Sequence, residues 1–248
     1  MNYHLNIFPP PIDMETKAVL KLCACAHRFL AELKGAVHAI SNQEILVNTL
    51  ALQEAKDSSA IENMITTHDD LFRGDLFPQS GQNLAAKEVH DYVQALRTGL
   101  ELVQKTGLLS LRNVLAVQEQ IEKNRPGFRR LPGTGLWNDA TGELVYMPPQ
   151  HPAEVERLMN NLERFINDDS DSDVDPLIKM APMHHQFESI HPFYDGNGRT
   201  GRILNVLSLI QKGLLDIPVL YLSRYLIQNK PDYYRLLQHV RDTGDWHA

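Results

Sequence analysis

The stretch from His191 to Arg202, His-Pro-Phe-Tyr-Asp-Gly-Asn-Gly-Arg-Thr-Gly-Arg, limits the folds open to this chain more than any other. One helical apolar pattern (Leu177, Met180, Ala181, His184, Phe187) runs up to it, and another (Ile203, Val206, Leu207, Ile210) leaves it. The stretch is therefore a short loop between two helices. Gly196 and Gly198 let backbone N–H groups approach an anion closely, at the positive end of the second helix. Arg199 and Arg202 are three apart and share a face of its first turn. Their guanidinium forks suit phosphate oxygens. Asp195 offers the hard oxygens that Mg²⁺ prefers. His191 takes up a proton near neutral pH. Each residue also has a plainer reading: a histidine tucked at a helix end, an Asp before Gly in a turn, an ordinary turn Asn at 197. Gly196, Gly198 and Gly201 also satisfy G-x-G-x-x-G, with Asp216 downstream. A dinucleotide-binding unit needs a strand before the glycines, and here the pattern is helical.

The remaining composition narrows the class. With 248 residues the chain is long enough for one sizeable core. A net charge of −7 argues against broad nucleic-acid binding. The start of the chain shows no signal peptide, and no apolar run is long enough to span a bilayer. The cytoplasm is the default expectation. Cys23 and Cys25 are too constrained to pair with each other. A metal reading of Cys23, Cys25 and His27 stands beside the expectation that these are buried small residues.

Helix dominates the rest. Ala18, Leu22, Cys25, Phe29 and Leu33 stripe a first helix that Gly35 weakens, and Asn42 caps a second through Ile45, Leu46, Leu50 and Gln53. Phe72 to Gln82 reads as loop. Val89 to Val103 forms a long amphipathic helix, Ser110 caps another, and Val155 to Ile166 makes a further one. Gly135 to Met147 reads as a hairpin with its turn at Asn138 to Gly142. Asn167 to Asp175 is an acidic linker. Its Asp169, Asp171 and Asp173 mimic a calcium loop but lack the required Gly and Glu. Pro182 should kink its helix or cost a hydrogen bond. Two short helices close the chain, near Arg224 to Gln228 and Pro231 to Val240. Of His184, His185 and His191, at most one of the first two could join the third on a zinc ion, since adjacent helical side chains diverge. Zinc therefore ranks below Mg²⁺, and His184 is expected to support the site or the core.

The loop fills every fixed position of His-x-Phe-x-(Asp/Glu)-Gly-Asn-Gly-Arg-x-x-Arg, and on those residues the chain resembles the Fic (Fic/Doc) family. The resemblance implies a mainly α fold, a Fic-type helical bundle with one β-hairpin flap. Residues 1–80 would be an N-terminal helical region and 81–248 the catalytic core, without the C-terminal winged helix of many relatives. It implies transfer of AMP from Mg·ATP to a hydroxyl of a target protein, with self-modification and a homodimer among the expected partner states, and no membrane or nucleic acid. His191 would be the base and Asp195 the Mg²⁺ ligand. Gly196, Asn197 and Gly198 would form the anion hole, and Arg199 and Arg202 would hold the outer phosphates. Phe193 would anchor the loop, and Tyr233 and Tyr234 would lie near the adenine. Glycine at 198, where the Doc branch has lysine, favours nucleotidyl over phosphoryl transfer. Ser58, Glu62 and Asn63 match the family's inhibitory motif, in which the glutamate pairs with the second arginine. Ser59 and Glu62 would also suit a capping box. The hairpin resembles the family's flap, with Tyr146 and Met147 as target contacts. The alternatives are transfer of another phosphate-linked group, removal of AMP, or a nucleotide-binding module without turnover.

Overall fold

The computed structural model describes residues 5–67, 84–138, 141–170 and 173–247. The expected loop at Phe72 to Gln82, the expected boundary at residue 80, and parts of the hairpin turn and acidic linker lie outside these residues.

Nine helices and one hairpin make up the described chain. The helices are α1 Lys17–His38, α2 Gln43–Ile61, α3 Leu84–Thr106, α4 Leu111–Glu122, α5 Pro152–Asn167, α6 Pro176–Ile190, α7 Asn197–Gln211, α8 Leu222–Gln228 and α9 Lys230–Thr243. None is long and apolar enough to cross a membrane. Four start where a polar side chain takes an orphan N–H. Thr16 accepts from Val19, Asn42 from Ile45, Ser110 from Asn113, and Asp175 from Leu177. Asn42 and Ser110 are the caps expected from sequence. The expected hairpin is present as β1 Leu136–Trp137 and β2 Leu144–Tyr146, antiparallel, with Leu136 opposite Tyr146 and Trp137 opposite Leu144.

The core is built around α6 and α7. On α7 every residue from Arg199 to Leu209 is buried, so it is wrapped on all sides. It packs against α6, α3, α4 and the end of α2. Phe187, Phe193, Ile203 and Leu207 are at most 1% exposed. Burying one such side chain contributes about 1.5–3 kcal/mol. Ala51 and Ala55 of α2 belong to the same cluster, as do Leu5 and Phe8. The helical bundle is therefore one packed body on both sides of residue 80. Pro182 lies inside α6, which runs unbroken past it; the missing N–H is tolerated within a fully packed segment.

Two expectations for α1 change. It passes through Gly35 to His38. A helical glycine costs only about 1 kcal/mol, and the last turn is held by Lys34 and His38 on Asp216 and by buried Val37. Its buried face is Cys23, Leu30 and Val37, while Leu22, Cys25 and Phe29 are exposed. The apolar stripe read from sequence is displaced by one residue, because α1 lies at the margin and meets mainly α6. Asp169 in the acidic linker is engaged rather than simply solvated, binding Lys179 and Lys212.

Candidate active site

α6 ends at His191, whose backbone turns left-handed (φ 49°) and whose N–H donates to the Phe187 carbonyl at 3.0 Å. Asn197 closes the loop that follows. Its Oδ1 accepts from the Phe193 N–H and its Nδ2 donates to the Phe193 carbonyl, both at 2.9 Å. With both polar ends used, that side chain shapes the loop rather than reaching a ligand. Phe193 is fully buried against Phe128 and Phe187, so it anchors the loop and contacts nothing in the mouth of the site. Phe193 is thus the anchor expected of it, while the Asn197 side chain is spent on the loop itself instead of the expected anion hole.

Gly196 caps α7 with φ 77°, a conformation that a side chain disfavours. The Thr200 N–H makes the first helical bond, to the Gly196 carbonyl at 2.9 Å. The N–H groups of Asn197, Gly198 and Arg199 precede it and face out of the helix end, where negative charge is favoured.

An anion already lies there. Arg202, 1% exposed, donates from Nε to Ser58 Oγ (2.7 Å) and from Nη2 to the Ser58 carbonyl (2.9 Å) and Glu62 Oε1 (2.7 Å). A Cβ on Gly198 would stand 2.1 Å from that same Glu62 oxygen. The carboxylate thus rests directly on the Gly198 backbone. Burial pushes the Glu62 carboxyl up, but the charge and hydrogen bonds of Arg202 outweigh it and hold it below the usual carboxylate range. Glu62 sits just past the C-terminus of α2, and Asn63 follows with φ 64° and its Oδ1 accepting from Lys230. A capping box belongs at a helix start, so that reading of Ser59 and Glu62 is excluded.

Residues 20–101 match the model described as Fic/DOC family N-terminal, and residues 108–209 match the Fic/DOC family model. This chain belongs to the Fic/DOC family. It is 33% identical over 97 residues to protein adenylyltransferase fic-1 of Caenorhabditis elegans, covering 39% of this chain and 18% of that protein. It is 33% identical over 168 residues to protein adenylyltransferase Fic of Drosophila persimilis, covering 66% and 28%. The chain therefore spans under a third of the length of these relatives. Among solved structures, a Fic family protein from Desulfovibrio desulfuricans G20 superposes with TM-score 0.75 at 24% identity, covering 96% of this chain and 70% of that one. Fic-1 from C. elegans gives 0.66 at 22%, covering 93% and 67%. These likenesses show the Fic fold.

In this Fic loop one of the two arginines departs from expectation. Arg202 faces the mouth, under Glu62. Arg199, 3% exposed, is turned to the core and paired with Glu88 of α3 and with Glu122 at the end of α4 (2.7 Å). That corrects the expectation that both guanidiniums hold outer phosphates. The Asp195 side chain is 78% exposed, accepts the Gly196 N–H at 2.7 Å, and lies 3.7 Å from Arg199.

His191 is half-buried. Burial first, then the charges of Arg129 and Arg241, depress its imidazole to about 4. It is therefore a neutral base at pH 7. His184 and His185 are depressed to about 3, mainly by burial. His184 Nε2 meets the Tyr233 hydroxyl (2.8 Å) and His185 Nε2 donates to the Leu237 carbonyl (3.2 Å), so both turn to α9. Tyr233 is thereby a packing partner of His184, while the Tyr234 ring is exposed beside it.

The Fic flap divides in two. Tyr146 is 5% exposed and donates to the Ser189 carbonyl at 3.0 Å, so its side chain props the site from within, which corrects its expected contact with a target. Met147, Trp137, Leu144 and Val145 are exposed. Sequence reasoning missed three supports. Arg129 donates to the carbonyls of Pro149, Ile190 and His191, fastening the flap's exit to the histidine. Arg241 of α9 donates to Ser189 Oγ and lies over the Tyr146 ring. Glu188 is buried under Gly201, and burial pushes its carboxyl up to about 7. No local pattern marks any of the three, since each acts through partners distant in sequence.

Proposed function

We propose that this chain is a protein adenylyltransferase, moving AMP from Mg·ATP to a hydroxyl side chain of a target protein and held in check by Glu62. The observation that carries this reading is the Glu62 carboxylate on the Gly198 backbone and Arg202. A helix end and a buried guanidinium are built there to receive negative charge, and a removable side chain fills the place. The names of the curated Fic relatives point the same way.

The residues fit the substrate and its ion. Gly198 leaves room that a side chain would fill, and the exposed Asp195 carboxylate would hold a magnesium ion. Bound there, the ion neutralises phosphate charge during transfer. The free N–H groups at the start of α7 receive the innermost phosphate. Arg202, once Glu62 withdraws, receives the outer ones. His191 accepts the proton of the target hydroxyl, whose oxygen bonds the innermost phosphorus as the bond to pyrophosphate breaks. The exposed edge and apolar side chains of the flap suit a target segment added as a strand. The same chemistry admits the protein's own hydroxyls as targets.

The test is the intact mass of the Glu62→Gly protein after incubation with Mg·ATP, with α- and γ-labelled ATP run in parallel. Expected is an added AMP and label from the α position, abolished by a second change, His191→Ala. Label from the γ position replaces this reading with phosphoryl transfer, and no label from either reduces the site to nucleotide capture.

A further inference from the structure

Cys23 and His27 stand four apart on α1 and so share a face. Asp175, the N-cap of α6, meets them there. Its Oδ2 lies 2.7 Å from His27 Nε2, and the Cys23 thiol stands beside the same carboxylate. One ligand atom from each of the three lies within 4.8 Å of the others, and this is the one such group of His, Cys, Asp or Glu among the described residues. Ligands at zinc distances on a tetrahedral ion stand roughly 3.3–3.8 Å apart, so small movements convert the cluster into a first coordination sphere.

We propose that Cys23, His27 and Asp175 form a binding site for one divalent ion of the zinc class. The donor set decides the class. A thiolate and an imidazole are poor ligands for Mg²⁺ or Ca²⁺ and good ones for zinc or cobalt. The carboxylate is already oriented: its Oδ1 accepts the Leu177 N–H at 2.9 Å, leaving Oδ2 for the ion. Such outer hydrogen bonds are what fix a ligand in place. The Asp175 N–H in turn donates to Glu15 Oε1, which brings another carboxylate to the same corner. An entry path exists, because Cys23 lines a cavity of about 330 Å³ with Met14, Leu22, Ala26, Pro182 and Trp246. An ion held here joins α1 to the start of α6, the helix that ends at His191.

The full chain, stripped with chelator and free of nucleotide, is titrated with Co²⁺. Expected is one equivalent bound with a thiolate-to-cobalt charge-transfer band, displaced by Zn²⁺. The band is lost in Cys23→Ser and kept in Cys25→Ser. His27→Ala weakens Co²⁺ binding by on the order of tenfold to a hundredfold. Cobalt held at Asp195 gives no such band, so failure here is distinct from failure of the nucleotide site. The proposal is overturned by a wild-type protein without the band, by a band that survives Cys23→Ser, or by unchanged affinity in His27→Ala.

Discussion

Arg199 and Arg202 stand three residues apart on one helical turn, both buried and both matched by carboxylates, yet the two regions around them are built for opposite purposes. Arg199 is gripped by Glu88 and Glu122, which project from helices of the central bundle. Arg202 is gripped from the end of α2, by Ser58 and by a Glu62 side chain that is one-third exposed. The first arrangement is a pillar, and the second is a latch. A buried charge deprived of its partner is expensive. Glu88 and Glu62 are each about one-third exposed, so what separates the two roles is the partner set, all carboxylates for Arg199 and Ser58 beside Glu62 for Arg202.

The largest expected effect falls on the pillar. Glu88→Gln with Glu122→Gln leaves the Arg199 charge uncompensated and costs about 3–5 kcal/mol, read from denaturant unfolding. Glu62→Gly costs only about 1–2 kcal/mol, since Ser58 keeps its two bonds to Arg202. In the same variant AMP transfer rises on the order of tenfold or more. Equal stability losses in the two variants would erase the distinction drawn here.

Acidity sharpens it further. His184, His185 and His191 have folded-state values below the ordinary histidine value, at about 3, 3 and 4. They contribute stability that is present above the unfolded value near 6.5 and lost as pH falls toward those numbers. Glu188, raised to about 7, and Glu54, also raised by burial, act in the opposite sense and give up stability as pH rises. Glu122 is raised by burial too, with Arg199 limiting the rise, so the protons taken up by three histidines on unfolding outweigh those held by the folded carboxyls. Thermal melts should therefore show a Tm nearly flat around pH 7 and falling from 6.5 to 5. The transfer rate of Glu62→Gly, limited by neutral His191, should not fall until pH approaches 4. The smallest effect is Tyr146→Phe, which removes one buried hydrogen bond, costs about 1 kcal/mol and leaves target modification within a factor of a few.

The loop from His191 to Arg202 was legible because its information is contiguous: glycines, a proline and charges at fixed spacing between two helical patterns. Asn42 and Ser110 were legible as caps for the same reason, and the hairpin because Gly and Pro punctuate it. What was not legible depends on partners far along the chain. Asn197 could be named a loop residue, but its closure of the Phe193 backbone is a matter of three-dimensional fit. Arg199 could not be told from Arg202 without Glu88 and Glu122 in view. The face of α1 was misjudged because its exposed leucines and phenylalanine are as apolar as its buried residues, and only the position of α6 decides between them.

Gly198 carries a consequence for how such a loop can change. Any side chain at that position collides with the Glu62 oxygen, so a substitution would expel the guard and clutter the chamber in one stroke. Position 198 thus offers no mutational route to a permissive state that leaves the chamber clear. On the proposed reading, control over this site rests with α2, whose end carries Glu62.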